Sequence, residues 1–318
     1  MKRIVVGVPT SIGVCLAMMW FVESSLRSQV QTFVPGCTVP FQTETHDIDN
    51  KCGRQGDPTG SAEGKLQNEF KTNYCAGGTP IEVTDVTFRA LQLAVDTLKQ
   101  NGDLHYGSPT NEPRVSERPT LSDLHITNPA GESVGEGKLV RMFAYLLHAD
   151  FSGGETVNCN SSSSASPLPT KHEYGDIHVY LSKTKPTRYT SESDRKKKDC
   201  RSMTAEIIPH FRPDAFDKIG QFHDTKGGAK AFDRIAAAKL NRPMRLTGHM
   251  FFDGAHTPCK SDTDQNTTPR RFASWEIHPV YAMDVCKFTT KAKCRIDHDS
   301  DWTSFADWMA GIESEEDQ

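Results

Sequence analysis

The sequence predicts an α+β fold, mainly β with helices. It would be a five-stranded OB-like barrel in the order β-β-β-α-β-β, preceded by a helical, disulfide-tied N-terminal segment. Three observations predict it. Five segments of strand composition lie between residues 139 and 286, with one long helical stretch after the third, which is the strand order of this small closed barrel. Eight of the nine cysteines, Cys37, Cys52, Cys75, Cys159, Cys200, Cys259, Cys286 and Cys294, follow an apolar leader, and an even number there reads as up to four disulfides. Hydrophobic residues make up 36% of the chain and the mean hydropathy is −0.56, which is polar for one large core and predicts ordered loops held by bridges.

The elements follow in order. Met1, Lys2 and Arg3 precede an apolar run over residues 4–22, the pattern that export machinery reads. Residues 1–28 are therefore expected to be a signal peptide or an N-terminal anchor. Pro9 and Gly13 weaken the run as a membrane helix, although it approaches the ~20 apolar residues that a span needs. The expected location is exported, periplasmic or extracellular, with membrane contact only through residues 4–22 if they are kept.

Residues 29–135 read as an irregular cysteine-containing segment with one helix over about 85–100. Thr84 suits its N-cap, Phe88, Leu91, Val95 and Leu98 draw one apolar stripe, and Gly102 stops it. Residues 136–295 are expected to form the barrel. Its strands cover about 139–148, 176–181, 202–208, 244–252 and 274–286, with a helical stretch at about 214–240. Ile177, Val179 and Leu181 alternate against Asp176, His178 and Tyr180, the period of a strand. Pro279 implies a bulge or an edge position in the last strand. The run Arg195-Lys196-Lys197-Lys198 reads as a solvated loop, and residues 296–318 as an acidic tail with a disordered end. For the bridges, Cys159–Cys200 is expected, with Cys259 joined to Cys286 or Cys294 and Cys37, Cys52 and Cys75 sharing the rest.

The segments Gly135-Glu-Gly-Lys-Leu-Val, Asp176-Ile-His, Thr204-Ala-Glu-Ile, Thr247-Gly-His-Met-Phe-Phe-Asp253 and Trp275-Glu-Ile-His-Pro-Val280, with Asn73-Tyr-Cys-Ala76 before the first helix, resemble a set of exported bacterial proteins of unassigned function. The likeness covers roughly residues 68–290, and Trp-Glu-Ile-His-Pro-Val is its most distinctive part. It implies domain limits and carries no activity.

Net charge is −4 and the pI about 6.3, so there is no nucleic-acid signature. No Gly-x-Ser-x-Gly elbow, Walker loop or dinucleotide glycine loop occurs. A thermonuclease-like phosphate grip would need arginines such as Arg201, Arg234 or Arg245, which no motif fixes. Trp275, Tyr180 and Phe251 are candidates for a stacking face, although such aromatics more often fill cores. One polar constellation stands out. Asp176 and His178 share a strand face, Glu276 and His278 repeat the arrangement, and Glu206 lies on the third strand. In a small barrel these could converge on a divalent metal such as zinc, with Asp176, His178, Glu206 and His278 as ligands and Glu276 or His256 as general base. Polar residues on an outer strand face also occur without any function. Two functions follow: an exported, disulfide-stabilised binding or scaffold module with an unknown ligand, or a metal-dependent hydrolase of esters or phosphodiesters built on this cluster.

Overall fold

The computed structural model describes residues 48, 52–73, 75–152, 154–160, 175–187, 189–212, 242–262, 264 and 269–316. The leader, Cys37 and the helical stretch expected at 214–240 lie outside them. The helices are α1 (Ala62–Lys71), α2 (Asp85–Asn101), α3 (Arg118–Asp123), α4 (Glu192–Asp199) and α5 (Phe305–Glu316). The strands are β1 (Ile81–Val83), β2 (His125–Thr127), β3 (Ser133–Gly135), β4 (Leu139–Phe151), β5 (Ile177–Ser182), β6 (Met203–Ile207), β7 (Met244–Phe252), β8 (Trp275–Cys286) and β9 (Trp302–Ser304).

Five strands close a mixed barrel in the order β4-β5-β6-β8-β7, with β7 returning to β4. The one parallel contact inside the ring is β6 with β8. This is the predicted OB-like α+β barrel, extended by β1 on β4 and β9 on β8. Its interior is filled by alternate residues of every strand, among them Met142, Leu146, Ile177, Val179, Ala205, Ile207, Leu246, Met250, Trp275 and Ile277. Burying each large side chain of that set contributes roughly 1.5–3 kcal/mol. Strand β8 carries the bulge expected at Pro279. Gly248 pairs with Val280 and Met250 with Ile277, so two steps on β7 face three on β8. A Cβ on Gly248 would lie 2.4 Å from the Pro279 carbonyl oxygen, so the close approach at the bulge requires glycine.

Helix α2 buries Phe88, Leu91 and Val95 against this core, and Gly102 ends it in the left-handed conformation (φ 83°). Helices α1 and α3 of the N-terminal segment escape the apolar period. In α1, Ser61 Oγ accepts from the Gly64 amide, and the buried residues are mostly polar: Gln67, Asn68, Phe70 and Lys71. Among the described residues, no helix is long and apolar enough to cross a membrane.

Three expectations are corrected. The bridges with both cysteines among the described residues are Cys52–Cys159, Cys200–Cys259 and Cys286–Cys294, at Cα separations of 5.8, 5.5 and 6.1 Å, and not Cys159–Cys200 or a Cys259 bond to either later cysteine; Cys75 is bridged as well. Cys159 ends a turn that folds back on residues 52–57, where Asp57 N donates to Thr156 O, and this removes it from Cys200. The basic run lies in α4 as a helical face tied by Arg195–Glu192 and Lys198–Asp194 pairs. Residues 302–316 form β9 and α5, with Trp302, Phe305 and Met309 buried.

Candidate metal centre on the barrel wall

The barrel's outer wall is the site. Core residues take one parity on β5, β6 and β8, so His178, Glu206, Glu276 and His278 take the other. Antiparallel pairing sets His178 opposite Glu206. The parallel register pairs Thr204 with Glu276, so Glu206 and His278 fall together one row further along. Most of this wall is kept from solvent by α1 and the turn at residues 155–159, with His178 and Glu155 partly exposed at its rim.

All four predicted ligands come together there. His178 Nε2 is 3.2 Å from Glu206 Oε1, and His278 Nε2 is 3.0 Å from Glu206 Oε2 and 3.7 Å from Asp176 Oδ2. Glu206 is thus the hub. Asp176, Glu206 and His278 each offer a ligand atom within 4.8 Å of the others, and so do Glu155, His178 and Glu206. Asp176 and His278 are fully buried and Glu206 is 2% exposed. Asp176 Oδ2, Glu206 Oε2 and His278 Nε2 meet one another, and Glu206 Oε2 meets Lys71, as ion-pair contacts without the geometry of a hydrogen bond. Buried polar atoms normally complete one.

The rest of each side chain is held. His278 Nδ1 donates to the Lys71 carbonyl (2.9 Å), a last-turn group of α1 with no partner inside the helix. That bond leaves Nε2 as the atom aimed at the carboxylates. Asn158 Nδ2 donates to Asp176 Oδ1 at 2.7 Å. Partners of this kind behind the ligating atoms are what metal sites use to orient them.

Charge is concentrated here. Burial opposes ionisation of Glu206, but His178, Lys71 and His278 overcome it and hold its carboxyl at about 2. Burial works against charging His278, and Asp176 and Glu206 outweigh it, raising the imidazole to about 10. His178 is raised to about 9 despite burial, by Glu206 and Glu155. Asp176 is pushed up by burial and by the Glu155 charge. Lys71 Nζ lies 3.1 Å from Glu155 Oε2 and 3.8 Å from Glu206 Oε2.

The two predicted bases sit in an adjoining network. Glu276 is bound by Arg271, which also binds Asp253, and all three are buried. His256 Nδ1 donates to Asp253 Oδ2 (2.7 Å), and its ring is 37% exposed. Burial and the charge of Glu206 raise Glu276 to about 8. Neither Glu276 nor His256 belongs to the ligand groups among the described residues.

Sequence reasoning missed Lys71, Glu155, Asn158 and Arg271. Glu155 precedes and Asn158 closes a short turn before Cys159, and contacts with distant residues, the Cys52 bond among them, bring that turn to the wall. The N-cap Ser61 with Glu63 in the first turn was a readable sign of α1, and hence of Lys71 at its end. Comparison with protein-family models, with curated proteins and with solved structures finds no match, so the chemistry rests on these residues alone.

Proposed function

We propose that this chain is a hydrolase that depends on one divalent cation and acts on an ester or phosphodiester, with Asp176, Glu206 and His278 as ligands and His178 beside them at the rim. The observation that carries the reading is the set of three buried ligand atoms that converge without completing a hydrogen bond. Charge is compatible with a single ion. Without metal, the carboxylates of Glu155, Asp176 and Glu206 are balanced by Lys71 and by the imidazoliums of His178 and His278, so one divalent cation would take the place of the two ring protons it displaces. Two carboxylates and an imidazole suit zinc or manganese. Such an ion lowers the pKa of a bound water and supplies the nucleophile at neutral pH.

Glu155, 19% exposed, is the carboxylate of the cluster nearest to solvent and would be the group to accept a proton from a bound water once its pairing with Lys71 and His178 opens. Glu276 is less suited to that part, because it is fully buried and held by Arg271. The disulfides support a working place in an oxidising compartment.

The full burial of Asp176 and His278 favours a second reading, in which the cation is only a clasp and the protein is a binding or scaffold module. Metal analysis of the oxidised protein, followed by stripping, reloading and assay on aryl esters and bis-aryl phosphodiesters, separates the two. One bound ion with turnover lost on stripping supports the hydrolase. One ion without turnover leaves the clasp. A protein that takes up no zinc or manganese under any loading condition sinks both.

A further inference from the structure

The triad of ligands is completed from outside the barrel. Asp176 precedes β5, and one of its oxygens is held by Asn158, whose side chain reaches it at 2.7 Å from a fully buried position. Asn158 closes a single 3-10 turn, Thr156–Asn158, and the next residue is Cys159. The turn has further holds: Asp57 N donates to Thr156 O (2.7 Å), Thr156 Oγ1 donates to Asn68 Oδ1 (3.3 Å), Glu155 pairs with Lys71 (3.1 Å) and His178 (3.2 Å), and Asn160 Nδ2 donates to Asp57 Oδ2. The Cys52–Cys159 bridge ties this turn to a segment 107 residues earlier. Gly56 packs so closely under it that a Cβ there would lie 2.1 Å from Thr156 O.

We propose that Asn158 and the Cys52–Cys159 disulfide behind it position Asp176 as a metal ligand, so that the centre takes up its cation at full affinity only in the oxidised chain. The inference rests on the metal centre proposed above and adds its regulation. Without the bridge, the turn is kept on the wall by hydrogen bonds and ion pairs alone, and its position loosens. The bond to Asp176 Oδ1 that fixes the direction of Oδ2 loosens with it, and so does the placement of Glu155. Metallation therefore follows disulfide formation, and a reduced chain is protected from picking up an ion before it has crossed into an oxidising compartment. Asn158 is a positioning residue in this scheme and touches no cation.

The test compares metal-stripped wild type with Asn158→Ala and with Cys52→Ser/Cys159→Ser. Zinc affinity is read by competition with a chromophoric chelator, and the coordination of substituted cobalt(II) by its visible absorption. Outer partners of metal ligands carry about 10- to 100-fold in affinity. Both variants are expected to lose affinity in that range and to share an altered cobalt band, while circular dichroism without metal stays that of wild type. Removal of the Cys286–Cys294 bridge, which packs with Trp302 and Phe143 away from the wall, leaves affinity unchanged. Should the double cysteine variant not fold, Asn158→Ala alone decides. Wild-type zinc affinity and cobalt spectrum in a folded Asn158→Ala overturn the inference and leave the metal centre standing. Failure of wild type itself to bind zinc or cobalt overturns the centre and the inference together.

Discussion

Asp176→Asn separates a charge needed for a cation from a charge needed for the fold. The side chain keeps its shape, and the new amide can still accept from Asn158 Nδ2 through its oxygen. In the metal-free protein, Asp176 is an unfavourable anion, because burial and the Glu155 carboxylate both oppose its ionisation. Neutralising it should leave the metal-free protein no less stable than wild type. The loaded protein should behave in the opposite way. A cation at 100 times its dissociation constant stabilises the native state by about 2.7 kcal/mol. At roughly 2–4 °C per kcal/mol for a domain of this size, wild type should rise by about 5–11 °C. The variant loses a ligand and with it a factor of at least about 10–100 in affinity, so about 1.4–2.7 kcal/mol of that gain disappears. Thermal melts of stripped protein, with and without added zinc, read both quantities. A full wild-type shift in the variant would refute the ligand role. A metal-free variant destabilised by about 3 kcal/mol or more would show instead that the Asp176 charge serves as a structural partner of His278.

Three further outcomes follow from the same geometry. Arg271→Met leaves the buried carboxylates of Asp253 and Glu276 without their shared cation and should cost about 3–5 kcal/mol in a urea titration; a loss under 1 kcal/mol would mean the network is replaceable. Gly248→Ala forces a methyl against Pro279 O and Ile277 Cγ2 and should cost about 1–3 kcal/mol while weakening metal uptake through the displaced His278; wild-type affinity in this variant would uncouple the bulge from the site. His256 is raised above its ordinary value chiefly by the Asp253 charge, so its contribution to stability is complete below about pH 6.5 and is lost as pH rises through the folded value. Urea midpoints from pH 5.5 to 9 should fall over that window in wild type and stay flatter in His256→Gln, and parallel curves would rule out the linkage.

Much of the wall was legible because strand parity is a local property. Once β5, β6 and β8 are strands, the period of two sorts Asp176 and His178 from Ile177 and Val179, and a five-stranded ring leaves few places for like-parity residues to go. The bulge at Pro279 follows His278, so it leaves Glu276 and His278 on one face. The cover was not legible. The apolar period that reveals α2 through Phe88, Leu91 and Val95 is missing from α1, which packs on a charged wall with Gln67, Asn68 and Lys71. The turn that brings Glu155 and Asn158 has no period, and the bridge that carries it joins distant cysteines. At the C-terminus, the acidic residues mask the apolar set Trp302, Phe305 and Met309 that docks β9 and α5.

The hydrogen bond from His278 to the Lys71 carbonyl joins positions 207 apart in the chain, and Tyr281 reaches the Asn73 carbonyl across 208. Contacts of that span close late, because the entropy of a long loop is lost before the contact returns any energy. A chain that ends before β8 contains neither His278, the partner of Glu206, nor the strand beside β6, so the cluster is complete only once β8 has joined the barrel.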